Sequence, residues 1–192
     1  ELFAEAGWTD SDGDGILDKD GQPFKFTISG VSNVAWHQKM MPIIKEDMEK
    51  AGVLMNIVYV EWSVYIKKLE DKDFDACSLL WNMGIDPDPY QIWHSSQADV
   101  KASSNHIAFK NAKADELIKQ IRACFDFKKR VQLCHEFHRL IHEEQPYTFL
   151  ICRNALSAMS ARYKNVREFK AYPIIPEKIM WVPMDKQVAA PE

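Results

Sequence analysis

Between residues 24 and 81 the apolar positions switch repeatedly between a period of two and a period near 3.6. No other feature restricts the fold as much. Phe24 to Val31 alternates, with Phe24, Phe26 and Ile28 on one face, and predicts a strand. Trp36, Met40, Ile43, Ile44, Met48 and Ala51 then recur at helical spacing, predicting a helix over Ala35 to Lys50 that Gly52 stops. Met55 to Val60 reads as the next strand, Ser63 as the cap of a short helix bearing Val64 and Leu69, and Phe74 to Trp81 as a third strand. Strand, helix, strand, helix, strand is the pattern of an α/β fold whose parallel or mixed sheet is flanked by helices. The methionines of the first helix read as core filling, and a chain of 192 residues can bury about 70% of its unfolded surface in one core.

The third strand runs into FDACSLLWNMGIDPDPYQIWHS, residues 74–95, which breaks at Gly84 into a proline-stiffened acidic loop. Trp81, Asp86, Asp88, Tyr90 and Trp93 stand there as candidate ligand-binding residues, because rings and carboxylates at the carboxyl end of a strand make a ligand mouth. The same residues also describe a packed structural loop. Asp86 and Asp88 beside aromatic platforms admit a second function class, a carbohydrate-acting hydrolase with paired acids. Acids in a proline-locked loop more commonly serve as caps and turns.

Ahead of the first strand lies TDSDGDGILDKDG, residues 9–21, where Asp10, Asp12, Asp14, Asp18 and Asp20 crowd together. Such carboxylates repel one another unless a hard cation neutralises them, and D-x-D-x-D-G matches the first half of an EF-hand loop, so the five are candidate calcium ligands. Gly21 occupies the twelfth place, where that motif wants a bidentate glutamate, and a strand rather than a helix follows. A solvated acidic turn is the other reading. Ile16 and Leu17 are placed to pin the loop to the body.

Two more helices are predicted. One covers Ala112 to Ala123 with Leu117, Ile118 and Ile121; the other opens at Asp126 as cap, shows Val131, Cys134, His138 and Ile141 along one stripe, and ends before Pro146. Tyr147 to Cys152 reads as a strand, Ala155 to Arg162 as a weaker one, and the tail with Pro173, Pro176 and Pro183 as extended. His135, His138 and His142 share a broad helix side without the acid or gap of H-E-x-x-H, which favours an exposed face over a zinc site. Cys77, Cys124, Cys134 and Cys152 form no CxxC; a Cys124–Cys134 bridge is conceivable, but buried thiols are the cheaper reading. A net charge of −4 gives no footprint for nucleic acid. The opening ELFAEAGW lacks signal-peptide character and reads as the last turns of a helix, as in a mature or excised piece.

Four blocks together resemble the carboxyl-terminal part of the extracytoplasmic solute-binding proteins of ABC importers, in the oligopeptide/dipeptide-binding family. They are EAGWTDSDGDGILDKDGQPFKFTI; AGVLMNIVYVEWSVYIKKLEDKDFDA; WNMGIDPDPYQIWHSS with NHIAFKNAKADELI; and RVQLCHEFHRLIHEEQPYTFLI. The resemblance implies a non-catalytic binder outside the cytoplasm, periplasmic or extracellular, tied to the membrane through the full-length protein. Its implied partners are a peptide or small-molecule cargo, ABC permease subunits and a missing first lobe. Residues 1–155 would be most of the second lobe of a two-lobed periplasmic-binding-protein fold, with 156–192 returning toward the first lobe and Tyr147 to Ala155 crossing the hinge. Trp81 matches the family's ligand-lining tryptophan. Gly84 stands where peptide-binding members carry an aspartate for the ligand's amino group, which leaves Asp86 and Asp88 as substitutes and keeps sugars and nickel complexes open as cargo. The acidic DGDG block is common among relatives, and a non-catalytic structural domain organised by it is the remaining alternative.

Overall fold

A computed structural model of the chain describes residues 1–82, 86, 88–152, 156, 158–168 and 177–187. After a short helix α1 (Leu2–Glu5), the acidic loop closes through a small antiparallel pair, β1 (Asp18–Lys19) with β2 (Gln22–Pro23). The main sheet follows as β3 (Lys25–Val31), α2 (Ala35–Lys50), β4 (Leu54–Val60), α3 (Trp62–Asp71) and β5 (Ala76–Cys77). Its order is β4-β3-β5 and all its pairs are parallel, with Lys25 opposite Leu54, Val31 opposite Val60 and Ile28 opposite Ala76. The architecture is therefore α/β, with open sheets flanked by helices.

Side-chain alternation along β3 distributes the cover. Ile28 joins Met41 and Met55 in one core, with Phe26, Met40, Ile44 and Met48 around it, so the methionines of α2 are core filling. Val31 joins Tyr65 and Leu69 of α3 in another. Gly30 permits the close approach of α2, since a Cβ there would sit 2.8 Å from the Met41 sulfur. The acidic loop is pinned as its apolar residues suggest: the Leu17 N–H donates to the Gly52 carbonyl at 2.8 Å. Gly52 lies at φ +78°, where a Cβ would also crowd the Gly15 carbonyl.

Several expectations are corrected. Ser63 is not a cap, because α3 begins one residue earlier behind an extended Glu61. The third strand keeps only Ala76–Cys77 of the predicted Phe74 to Trp81. From Ser78 the backbone leaves the ladder for a side chain: the Ser78 N–H donates to the Tyr65 hydroxyl at 3.0 Å, and that hydroxyl donates to the Ser78 carbonyl at 2.7 Å. Residues 147–152 form no strand, because their apolar backbone finds no ladder partner among the described residues; Phe149, Leu150 and Ile151 are exposed. The described residues of 156–162 form none either. All four cysteines are free, with Cys77, Cys124 and Cys134 half-buried and Cys152 exposed.

The second half folds as α4 (Tyr90–Trp93), α5 (Ala112–Ala123) and α6 (Phe127–Glu144). Local caps start the long helices: the Asn111 side chain accepts the Lys113 and Ala114 N–H groups at 3.0 Å, and Asp126 accepts that of Lys129 at 2.8 Å. α6 is rotated from the predicted stripe. Leu133, Phe137, Leu140 and Ile141 are buried, Val131 and Cys134 are half-buried, and His138 is exposed with His135 and His142. The large Phe137 ring has more apolar area to withdraw from water than the imidazole, and it sets the rotation.

His37 in α2 is 3% exposed, and its Nδ1 accepts the Val31 N–H at 2.9 Å. Burial holds the imidazole below the ordinary histidine value of 6.5. The folded protein resists a proton that the unfolded chain takes up near that pH, so this contribution to stability is present above 6.5 and lost as the pH falls through the depressed value. His106, also depressed by burial, acts with the same sign. Urea melts of the wild type are expected to weaken between neutral pH and pH 5, with a flatter dependence in His37→Gln. Equal slopes would remove His37 from this account.

Candidate functional site

The site is built where β5 ends. The strand order β4-β3-β5 means that the chain crosses from β3 to one side and returns to the other, so the carboxyl ends of β3 and β5 flank a switch of direction. The chain leaving β5 there carries Trp81, four residues past its last ladder residue. The clasp between Tyr65 and Ser78 fixes this exit, and burial pushes the Tyr65 hydroxyl far above its ordinary value, so it stays protonated and able to donate.

Trp81 is 36% exposed. His106 lies parallel to it, with ring centroids 6.0 Å apart and planes 8° apart. Nearby Tyr147 has its hydroxyl raised to about 12, chiefly by burial. Tyr147 also packs 4.6 Å from Trp93, which links the ring at the strand end to the helical core.

The remaining candidates separate into different places. Trp93 is buried in the core of α4, α5 and α6, edge-on to Phe109 at 5.6 Å. Tyr90 is half-buried, its hydroxyl sharing a hydrogen bond with Ser96 at 3.0 Å and its ring covered by the Arg122 guanidinium at 4.5 Å. Asp86 takes both terminal nitrogens of Arg130 in α6, and Asp88 pairs with Arg122 of α5 at 3.2 Å while accepting the Tyr90 N–H at 3.0 Å. The loop acids thus fasten the loop to two helices. The cavity they line with Ile121 measures about 160 Å³, below the roughly 300–1,000 Å³ of small-molecule sites. Gly84 lies outside the described residues.

Sequence reasoning missed Arg122 and Arg130, and also Asn105. This asparagine is wholly buried; its amide donates to the Phe109 carbonyl at 2.9 Å and its carbonyl accepts the Phe109 N–H at 2.8 Å, which folds the segment presenting His106. In sequence Asn105 is one polar residue in a polar stretch, so no signal set it apart.

In the acidic loop Asp10, Asp12 and Asp14 gather, each offering a carboxylate oxygen within 4.8 Å of the others, and this exposed triad can chelate a divalent cation. Asp18 and Asp20 are not part of the triad. Asp18 instead accepts the Ser11 N–H at 2.9 Å, a bond that lowers its pKa, and Asp20 turns the chain at φ +53°. The triad is also bonded to its own backbone, since Asp10 accepts from Gly13 and Gly15 and Asp14 accepts from Ile16.

With this geometry in place, comparison with known proteins is informative. Residues 1–103 match the family described as Bacterial extracellular solute-binding proteins, family 5 Middle. The oligopeptide-binding protein AppA of Bacillus subtilis (strain 168) is 36% identical over 175 residues, covering 90% of this chain and 31% of the relative. The dipeptide-binding protein of Escherichia coli (strain K12) is 28% identical over 141 residues, covering 72% and 25%. The solved structure of AppA in complex with a nonapeptide superposes with a TM-score of 0.79 at 34% identity, over 95% of this chain and 36% of that one. The chain spans about a third of the length of the curated relatives it matches.

Proposed function

The chain belongs to the bacterial extracellular solute-binding proteins, family 5, and from that premise we propose that it forms most of the second lobe of a two-lobed binder delivering a peptide or related small solute to an ABC import permease. The observation that carries this reading is Trp81. A half-exposed indole, clasped at the end of a parallel strand and backed by His106, is a surface made to be covered. The likeness to an oligopeptide binder along nine-tenths of the chain supplies the cargo class.

Residues 1–155 supply the lobe and 156–192 the return toward the first lobe, with the apolar, exposed stretch around Phe149 to Ile151 crossing between them. The protein works outside the cytoplasm, periplasmic or extracellular, and reaches the membrane through its full length. Trp81 gives the ligand apolar area, while Tyr90, its ring packed by Arg122 and His94, braces the loop. Trp93 supports them from beneath. Asp86 and Asp88 stand at the rim, their charge already met by Arg130 and Arg122, so they meet a ligand amino group only by sharing those partners. The same pairing disfavours a hydrolase, which needs one of two acids free to carry a proton.

Native mass spectrometry of the gently purified full-length protein, followed by denaturation to release what it holds, tests the function. A retained peptide is the expected result. A retained sugar or metal complex would change the cargo class, and an empty protein that responds to no solute would favour a structural domain.

Calcium is our reading of the acidic triad, for which hard carboxylate oxygens at D-x-D-x-D spacing are the chemical fit. Calcium is expected to raise the melting temperature of the wild type, and the double change Asp12→Asn with Asp14→Asn to abolish that rise. A rise that survives in the double variant would place the ion elsewhere.

A further inference from the structure

The connection between α5 and α6 together with the first turn of α6 reads CFDFKKR, residues 124–130, and carries the two most exposed aromatic side chains among the described residues. Phe125 is 100% exposed and Phe127 74%. Neither ring joins a hydrophobic core of the described residues. The hairpin buries Leu117, Ile118 and Ile121 of α5 against Leu133, Phe137 and Ile141 of α6, and the turn points its rings away from that core. One phenylalanine wholly in water and a second three-quarters exposed add little to stability, so their place at a tip calls for a partner surface.

Charge indicates which surface. Residues 119–130 hold Lys119, Arg122, Lys128, Lys129 and Arg130 against one acid, Asp126, on a chain whose net charge is −4. Arg122 and Arg130 are engaged by Asp88 and Asp86, and the Asp126 carboxylate caps α6. Lys119, Lys128 and Lys129 make no ion pair among the described residues. The tip therefore presents two rings beside free ammonium groups, a basic pole on an acidic molecule.

The geometry points to a lipid surface as the partner: the α5–α6 tip sets Phe125 and Phe127 into the headgroup boundary of an anionic bilayer while Lys128 and Lys129 meet lipid phosphates. A bilayer accepts rings at the depth of the acyl boundary and cations at the headgroups above them, and it does so in any rotation about the tip. Two rings and a few lysines fall short of a stable anchor, so the contact is reversible and salt-sensitive. It goes beyond solute binding, confining the protein to the membrane face where a permease lies.

Co-sedimentation of the full-length protein with vesicles of phosphatidylcholine, with and without about one third phosphatidylglycerol, tests this. Wild type is expected to sediment with the anionic vesicles and to be released by high salt. Phe125→Ser with Phe127→Ser, and separately Lys128→Glu with Lys129→Glu, should each lower binding by about tenfold or more. All four positions are exposed, so folding and nonapeptide affinity should be unchanged, which separates this result from the proposed solute site. Absence of binding to anionic vesicles, or binding that both double variants retain, overturns the inference. So does loss of association with detergent-solubilised permease in the phenylalanine variant while vesicle binding persists, since the tip would then dock on protein.

Discussion

Trp93→Ala is expected to lower the unfolding free energy by about 3–5 kcal/mol, whereas Trp81→Ala should cost only about 1–2 kcal/mol. The two tryptophans stand twelve positions apart in one loop and look alike in sequence. Their surroundings differ. Trp93 is 8% exposed and meets Phe109, Tyr147 and the packed stripes of α5 and α6, so its removal leaves a cavity that rigid helices cannot close. Trp81 already shows 36% of its surface to water, and its loss removes a stack on His106 without opening the core. Urea melts followed by far-ultraviolet circular dichroism measure both. Equal losses would mean that Trp81 is a core residue in the intact protein and would take away its proposed role as the ligand-facing ring.

Tyr65→Phe removes one oxygen and should nevertheless rank second in effect. Its hydroxyl is both donor and acceptor for Ser78, at 2.7 and 3.0 Å, and Ser78 is buried. Deleting it leaves a backbone N–H and a backbone carbonyl without partners, at about 1–3 kcal/mol for each group that water does not reach. The clasp also directs the chain from β5 toward Trp81, so the change reaches the proposed ligand site. Hydrogen exchange should show the Ser78 amide losing protection in the variant while β3 and β4 retain theirs. A Ser78 amide protected as in the wild type would show that the strand end is held by something else.

What was legible in the sequence had local causes. The bounds of α2 and α5 follow from side-chain periodicity, and α6 was found at its Asp126 cap, a signal three residues long. Pinning of the acidic loop through Leu17 was also readable, since two apolar residues interrupt a run of acids. Features set by distant partners were not. The predicted third strand shortened because Tyr65, thirteen residues before Ser78, competes for its backbone. Residues 147–152 have the composition of a strand, and composition cannot supply the neighbouring ladder. In the candidate site the rings were nameable, yet their division into core and surface was not, because Trp93 is buried by helices that come later in the chain. The arginines holding Asp86 and Asp88 were equally hidden: Arg130 lies 44 positions from Asp86.

The central claim is that Trp81 lines the cleft of a peptide-binding lobe, and isothermal titration of the full-length protein with a synthetic nonapeptide tests it most directly. The account predicts a saturable heat in the wild type and an affinity at least about tenfold weaker in Trp81→Ala, consistent with the loss of an aromatic contact that both lobes desolvate. A nonapeptide that produces no heat, or that binds Trp81→Ala as tightly as the wild type, would contradict it.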